Sequence, residues 1–172
     1  MLQEHSNAEL HDLAVRLGEA LRARHFMLAT AESCTGGWAS MAVTAVAGSS
    51  AWFERGFVTY SNAAKQEMLD VKPGTLAEHG AVSEAVVREM AQGAIARSNA
   101  QAGLAISGVA GPGGGSAAKP VGLVCLGWAL QGGETRSRSL QCAGGRDDVR
   151  RQAVVRAFEG LLELLSASRE SA

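Results

Sequence analysis

The sequence has 172 residues, of which 47% are hydrophobic and 19% charged, and its formal net charge is −1. This length and composition predict one folded domain with a substantial core and exclude a largely disordered chain. The near-neutral charge and the aromatic content of 5% argue against a nucleic-acid-binding surface. No stretch reaches the roughly 18 apolar residues of a membrane span, and the polar N-terminus does not resemble a signal peptide. We therefore expect a cytoplasmic protein with no nucleic-acid or membrane partner.

The cysteines and histidines do not form a metal-binding pattern. No two cysteines have the CxxC spacing of a zinc or thioredoxin-type redox site, the three being Cys34, Cys125 and Cys142. The four histidines are scattered, at His5, His11, His25 and His79. We therefore expect free thiols, no metal, no cofactor and no serine–histidine–acid triad.

Hydrophobic periodicity and turn residues predict alternating helices and strands. Helices are expected over residues 8–24, 35–46, 62–69, 84–98 and 146–166, with Ser61 and Ser83 as N-caps of the third and fourth. Strands are expected over residues 26–31, 53–60, 102–107, 121–130 and 135–142. The stretch 71–74, which contains Pro73 and Gly74, is interpreted as a turn.

This order of elements predicts an α/β fold. Helices between the early strands imply crossovers and therefore parallel pairing, whereas the short turn at residues 131–133 implies one antiparallel pair. We expect a mixed sheet with helices on both faces, forming a single domain over residues 1–172 with a core at about residues 8–166.

A polar cluster, Glu32-Ser33-Cys34-Thr35-Gly36-Gly37, lies at the turn from the first strand to the second helix. Helix starts present free N–H groups and a partial positive charge, and the glycines allow a ligand to approach the backbone. The cluster is therefore a candidate nucleophile and anion site. In the alternative interpretation Thr35 is a plain N-cap. Glu32 is then a carboxylate whose hydrogen bonds are satisfied at the helix start, although it could equally orient the turn or a lysine.

Three loops follow the first three strands: residues 33–37, 60–65 and 107–115. Because ligand sites of open α/β sheets lie outside the carboxyl ends of the strands, we expect these loops to converge on one site. Lys65 is in the first turn of the third helix, where the helix dipole disfavours a cation. The same placement favours the neutral amine that a general base requires, although a solvated surface lysine is the competing interpretation.

The glycine-rich loop at residues 108–115 matches neither a Walker A loop nor a dinucleotide fingerprint, but its N–H groups can form an anion nest. Ser116-Ala117-Ala118-Lys119 imitates the Ser-x-x-Lys motif without the helix which that motif needs, so Lys119 is interpreted as a loop cation that fixes the loop or meets the substrate. Arg146 is a candidate phosphate ligand, with an ion pair to Asp147 or Asp148 as the alternative.

These motifs together resemble the CinA C-terminal domain family. The matching stretches are Ala31-Glu32-Ser33-Cys34-Thr35-Gly36-Gly37, Gly56-Phe57-Val58-Thr59-Tyr60-Ser61-Asn62 with Lys65, Gly80-Ala81-Val82-Ser83, Ser107-Gly108-Val109-Ala110-Gly111-Pro112 with Gly114-Gly115, and Lys119-Pro120-Val121-Gly122. The resemblance covers about residues 8–166.

The resemblance implies a three-layer α/β/α sandwich with a mixed, mostly parallel five-stranded sheet. In its stand-alone form this family is the nicotinamide-nucleotide amidase of PncC type, which implies hydrolysis of the carboxamide of nicotinamide mononucleotide (NMN) to nicotinate mononucleotide and ammonia. The chain is too short to include the N-terminal pyrophosphatase domain of full-length CinA proteins, so we expect the dedicated amidase of pyridine-nucleotide recycling.

The resemblance also implies roles for individual residues. Ser33 corresponds to the nucleophile and Lys65 to its general base, with Tyr60 assisting. The implied substrate-binding residues are Thr35, Gly36, Gly37, Ser107, Gly111, Gly113, Gly114 and Arg146. The chain departs from the family pattern at Gly113 and Gly145, where acidic residues are usual, and these changes concern the ribose or phosphate contacts.

Three other interpretations remain open from the sequence. Cys34 is an alternative nucleophile, since a helix N-terminus also favours a thiolate. In the second interpretation the chain is a non-catalytic module that senses pyridine nucleotides. In the third it is a structural partner in a larger assembly. We also expect a homo-oligomer, a dimer or larger, because the chain has more large aromatic side chains than a small core needs, namely Trp38, Trp52, Phe53 and Trp128.

Overall fold

The structure, a computed structural model, describes residues 7–170. The helices in this range are α1 (Asn7–Arg22), α2 (Trp38–Thr44), α3 (Asn62–Leu69), α4 (Pro73–His79), α5 (Glu84–Ala96) and α6 (Arg146–Glu170), with a 3₁₀ turn at Ser49–Ala51. The strands are β1 (Leu28–Glu32), β2 (Phe53–Val58), β3 (Ala102–Gly108), β4 (Leu123–Leu130) and β5 (Thr135–Gln141).

The five strands form one mixed sheet in the order β2-β1-β3-β4-β5. Strand β1 pairs in parallel with β2 and β3, and β4 is antiparallel to both of its neighbours. The α/β class and the mixed five-stranded sheet are therefore confirmed. The second antiparallel pair, β3–β4, was not predicted; it arises because a loop without a helix, rather than a crossover helix, joins these strands.

Side chains alternate between two apolar layers along each central strand. In β3, Leu104 and Ile106 pack with α1, α2 and α6, whereas Ala105 faces the layer of α3, α4 and α5. The layer of α3, α4 and α5 approaches the sheet closely because the strands have glycine at the contact. A Cβ atom added at Gly127 would lie 2.3 Å from the Val87 carbonyl oxygen in α5. The three-layer arrangement places both helix layers against one central sheet.

Two of the large aromatic side chains are buried within the chain's own core. Trp52 is 2% exposed and Trp128 is 3% exposed, and the Trp128 indole N–H donates to the Ala157 carbonyl at 2.8 Å. Trp38 and Phe53 pack against the same cluster. These side chains therefore do not support an oligomer, which stays a prediction.

The main local difference from the expectations is helix α4, which was interpreted as a turn. Pro73 is its first residue, a position where the missing N–H costs nothing and the fixed φ suits a helix. The predicted N-caps are confirmed, since Ser61 Oγ accepts from the Ala64 N–H at 3.0 Å and Ser83 Oγ accepts from the Val86 N–H at 3.2 Å. Among the described helices, none has the length and apolar content to cross a bilayer.

Candidate active site

The carboxyl ends of β1, β2 and β3 lie at one edge of the sheet, and the three loops that follow them meet there. They form a pocket of about 220 Å³ together with the start of α6. Its lining residues are Ser33, Cys34, Tyr60, Asn62, Lys65, Ala81, Gly108, Ala110 and Arg146. The parallel pairing of β1 with both neighbours produces this convergence of segments that are distant in sequence.

Ser33 and Lys65 are in direct contact in this pocket. Lys65 Nζ lies 2.9 Å from Ser33 Oγ and donates to the Thr59 carbonyl at 2.8 Å. Ser33 follows β1 immediately, and Lys65 is on α3, whose start is fixed by the Ser61 cap. The distance between the two side chains is within the reach required for proton transfer.

The Lys65 side chain is almost completely buried, with 1% exposure. This burial is the largest influence on Lys65 and lowers its pKa from the ordinary value. Within the described part of the chain no carboxylate forms an ion pair with Lys65. The buried site therefore favours the neutral amine, and a solvated surface lysine is excluded.

Glu32 holds the N–H side of the turn after β1. Its carboxylate, 1% exposed, accepts from the Thr35 hydroxyl at 2.7 Å and from the N–H groups of Gly37, Ala39 and Ser40 at 2.9–3.1 Å. It also accepts from the Ser40 hydroxyl at 3.0 Å. Glu32 therefore orients the turn rather than the lysine, and it supplies the negative charge that the start of α2 favours.

Replacing Glu32 by glutamine is expected to lower the free energy of unfolding by about 3 kcal/mol, because an amide NH₂ cannot accept the hydrogen bonds of buried donors. Urea unfolding measures the change. Glu163→Gln is the matched control, since Glu163 is exposed and pairs with Arg138 at the surface, so the loss of its charge should leave stability close to that of the parent. Equal stability of the two variants would contradict the role of Glu32.

Several of the predicted backbone donors already have partners. The Gly37 N–H donates to Glu32, and the Gly36 N–H donates to the Ser33 carbonyl at 3.1 Å. The N–H groups of Cys34 and Thr35 have no carbonyl or carboxylate partner among residues 7–170. Thr35 is not the N-cap of α2; Gly37 is, and its φ of +105° delays the start of the helix. Cys34 lines the pocket, whereas Thr35 is fully buried and, like Gly36 and Gly37, lies outside the lining, so the Cys34 N–H is the donor left for a ligand.

The thiol of Cys34 is a poor candidate nucleophile in this geometry. Cys34 is 7% exposed, and burial raises its pKa to about 12. Its side chain packs in the apolar layer of α1, α2 and α6, and a Cβ atom at Gly108 would lie 3.2 Å from its sulfur. The thiol is therefore protonated at neutral pH, whereas Ser33 has a lysine beside it.

Arg146 lines the pocket and supports the glycine-rich loop. Its Nη1 donates to the Gly111 carbonyl at 2.7 Å, while its Nε and Nη2 have no partner in the described chain. Neither neighbouring carboxylate pairs with it, since Asp147 pairs with Arg150 and Asp148 accepts from the Gly145 N–H. The alternative of a local ion pair is therefore wrong for Arg146.

Of the remaining predicted site residues, Tyr60 lines the pocket and the others lie outside its lining. Ser107 is buried and its hydroxyl donates to the Ala81 carbonyl at 2.8 Å, so it joins β3 to the segment before α5. The Lys119 ammonium donates to the His79 carbonyl and fixes the loop. The glycines at 111, 113 and 114 belong to the loop but not to the lining. Tyr60 lines the pocket with an exposed side chain.

The sequence did not single out Asn62, Ala81 or Arg150. Asn62 and Ala81 line the pocket, and Arg150 donates to two carbonyl groups of the turn that contains the nucleophile. Asn62 is in the matched motif after Tyr60, which is a usable signal. Arg150 is distant in sequence from the turn and follows no motif.

A larger groove of about 450 Å³ lies elsewhere, along α1 and α6. Three of its lining residues are acidic, Glu9, Asp12 and Glu159, with Arg16 as the basic one. The described residues that line it include no nucleophile, and their net negative charge opposes a phosphorylated ligand. In residues 7–170 no cluster of three or more histidine, cysteine or carboxylate side chains is arranged to hold a metal ion.

A sequence model of the CinA C-terminal domain matches residues 10–165. The chain belongs to the CinA C-terminal domain family. It is 53% identical over 156 residues to the nicotinamide-nucleotide amidohydrolase PncC of Escherichia coli K12, covering 91% of this chain and 94% of that relative. The PncC amidohydrolase of Pseudomonas putida is also 53% identical, over 88% of this chain and 94% of its own length.

The solved structures of this family have the same fold. The competence/damage-inducible protein CihA of Agrobacterium tumefaciens superposes with a TM-score of 0.87 at 45% identity, covering 90% of this chain and 94% of that protein. A CinA superfamily protein of Klebsiella pneumoniae gives 0.88 at 41% identity, over 92% and 98% of the two chains. The family assignment made from the motifs is confirmed.

Proposed function

We propose that this protein hydrolyses the carboxamide of NMN to nicotinate mononucleotide and ammonia, with Ser33 as nucleophile and Lys65 as general base. One observation carries the proposal: the buried Lys65 Nζ lies 2.9 Å from Ser33 Oγ in the lining of the pocket at the strand ends. The names of the PncC relatives support the substrate and the reaction class.

The reaction divides into two acyl transfers. Neutral Lys65 takes the Ser33 proton as Oγ attacks the carboxamide carbon, and the protonated amine then gives that proton to the leaving ammonia. A water molecule next attacks the Ser33 ester, and Lys65 takes its proton and returns it to Ser33 Oγ as the ester bond breaks. The sum is one amide bond and one water consumed, with one carboxylic acid and one ammonia formed.

The tetrahedral intermediates carry a negative oxygen that needs hydrogen-bond donors. The N–H groups of Cys34 and Thr35 follow the nucleophile directly and have no carbonyl or carboxylate partner among the described residues. We assign the Cys34 N–H as the oxyanion donor, worth about 3 kcal/mol of transition-state stabilisation, because Cys34 lines the pocket whereas Thr35 is fully buried outside its lining. Gly36 and Gly37, whose N–H groups already have partners, give the turn its shape. We assign Tyr60, whose exposed side chain lines the pocket, as the residue that assists Ser33 and Lys65.

Arg146 is the proposed ligand of the substrate phosphate. Arg146→Gln is expected to raise the KM for NMN by about 10- to 100-fold, because the variant loses a charge-assisted hydrogen bond to the phosphate. The effect on kcat should be smaller. The substrate control is nicotinamide riboside, which lacks the phosphate and should be hydrolysed with similar kcat/KM by parent and variant. An equal loss with both substrates would show that Arg146 acts only by supporting the loop through Gly111.

Ammonia release from NMN by the purified protein tests the proposal, with EDTA present because the proposed chemistry needs no metal. We expect multiple turnovers and equimolar nicotinate mononucleotide. A protein that binds NMN, as shown by a raised melting temperature, but releases no ammonia would contradict the amidase and support the sensing module instead.

A further inference from the structure

Arg150, in the second turn of α6, reaches the turn that carries the proposed nucleophile. Its Nε donates to the Cys34 carbonyl at 3.1 Å, and its Nη2 donates to the Thr35 carbonyl at 3.1 Å. Its Nη1 donates to the Asp147 carboxylate at 3.0 Å. Each nitrogen of the guanidinium therefore has a fixed acceptor, and two of the three acceptors belong to the turn.

Stacking further fixes the guanidinium. Its central carbon lies 5.2 Å from the ring centroid of Trp38, the first residue of α2, in a cation–π arrangement. The guanidinium of arginine is planar and has three nitrogens, so it can stack on an aromatic ring and donate to two carbonyls at once. The ammonium group of lysine cannot do both. The turn is thus held from the α6 side by one rigid group.

The bonds to these carbonyls also orient the N–H groups of the turn. A trans peptide group is planar, and its C=O and N–H point in opposite directions. The bond from Arg150 to the Cys34 carbonyl therefore fixes the peptide group between Cys34 and Thr35. The bond to the Thr35 carbonyl sets the direction of the Gly36 N–H, which donates to the Ser33 carbonyl at 3.1 Å. The Ser33 carbonyl shares its peptide group with the Cys34 N–H, so these bonds also set the direction of that donor.

Glu32 and Arg150 hold opposite sides of the same turn. The Glu32 carboxylate accepts hydrogen bonds from N–H and hydroxyl groups of the turn and of the start of α2. The Arg150 guanidinium donates hydrogen bonds to the carbonyls of Cys34 and Thr35. From this we infer that Arg150 is a positioning residue for acyl transfer: it aligns the peptide groups after Ser33 so that the Cys34 N–H points at the oxyanion. This inference rests on the proposed function.

The test compares Arg150→Met, Arg150→Lys and Arg151→Met in steady-state NMN hydrolysis, with a melting temperature for each. Arg151 is the matched control because its guanidinium also lies 5.2 Å from the Trp38 ring but donates to Asn7 instead of the turn. We expect Arg150→Met to lower kcat by about 10- to 100-fold with KM within about twofold, since oxyanion alignment acts in the transition state. Arg150→Lys should be intermediate, and Arg151→Met close to the parent.

A kcat within twofold of the parent for Arg150→Met would overturn the inference, and so would a loss confined to KM or an equal loss in Arg151→Met. If Arg150→Met does not fold, Arg150→Lys decides: a lowered kcat in a folded protein supports positioning, and a parental kcat overturns it. The parent and Ser33→Ala are measured in the same assay. An inactive parent, or an active Ser33→Ala, overturns the proposed function itself and is thereby distinguished from a failure of the Arg150 inference alone.

Discussion

Ser33→Ala is expected to lower the kcat for NMN hydrolysis by at least about 10³-fold, with no loss of folding stability. The variant removes the only atom that the proposed mechanism acylates. It leaves the Lys65 amine bonded to the Thr59 carbonyl, so the pocket keeps its shape. Ammonia release measures the activity, and thermal unfolding establishes that the variant is folded.

Cys34→Ala is the matched control, since Cys34 is the adjacent residue and the alternative nucleophile. The buried thiol is protonated, with a pKa of about 12, and lies in an apolar layer, so its loss should cost about 1 kcal/mol of stability but leave most of the activity. An inactive Cys34→Ala beside an active Ser33→Ala would transfer the nucleophile to the thiol and refute the serine mechanism.

Lys65→Met is the second large effect: kcat should fall by at least about 10³-fold because the variant removes the amine that lies 2.9 Å from Ser33 Oγ. Methionine fills a similar volume without an amine. Lys72→Met, the same change at an exposed lysine on the N-terminal side of α4, should retain parental activity. An active Lys65→Met would contradict the general-base role.

The pH dependence follows from the burial of Lys65. Burial lowers its pKa from the ordinary value of 10.5, so activity in the parent should rise with pH through that lowered pKa and level off before 10.5. A rise that continues to 10.5 would contradict a depressed pKa.

The same shift predicts a stability difference between the parent and Lys65→Met. Between the pKa of the folded state and 10.5, the unfolded chain binds more protons at Lys65 than the native protein does, so raising the pH stabilises the native state. The unfolding free energy of the parent minus that of Lys65→Met should increase with pH in this window, by up to about 1.4 kcal/mol per pH unit. A difference that stays constant or falls with pH would contradict the shift.

The sequence was sufficient to predict that the loops carrying Ser33 and Lys65 converge, and the family resemblance paired the two residues. The rule that ligand sites lie outside the strand ends of an open α/β sheet brought their loops together, and the Ser61 cap placed Lys65 correctly on its helix. The motifs added the family. The helix at Pro73 was missed because Pro-Gly starts a helix as readily as it makes a turn, and the local sequence does not decide between them.

The supports of the site were less predictable. Glu32 was recognised as a possible orienting carboxylate, but its partners depend on where α2 starts, which the positive φ values of Gly36 and Gly37 determine. Arg150 is separated from the carbonyl of Thr35 by 115 positions, and only the packing of α6 brings them together. Residues that act through tertiary packing rather than through a motif give no local signal.

The most direct test of the serine mechanism is to identify the acylated residue. The protein is mixed with NMN, quenched in acid at times within the first turnovers, digested and analysed by mass spectrometry. We expect the peptide that contains Ser33 to carry a nicotinate mononucleotide acyl group on the serine oxygen, and Ser33→Ala to carry none. An acyl group on Cys34, or ammonia release with no labelled residue at any time point, would contradict the serine mechanism.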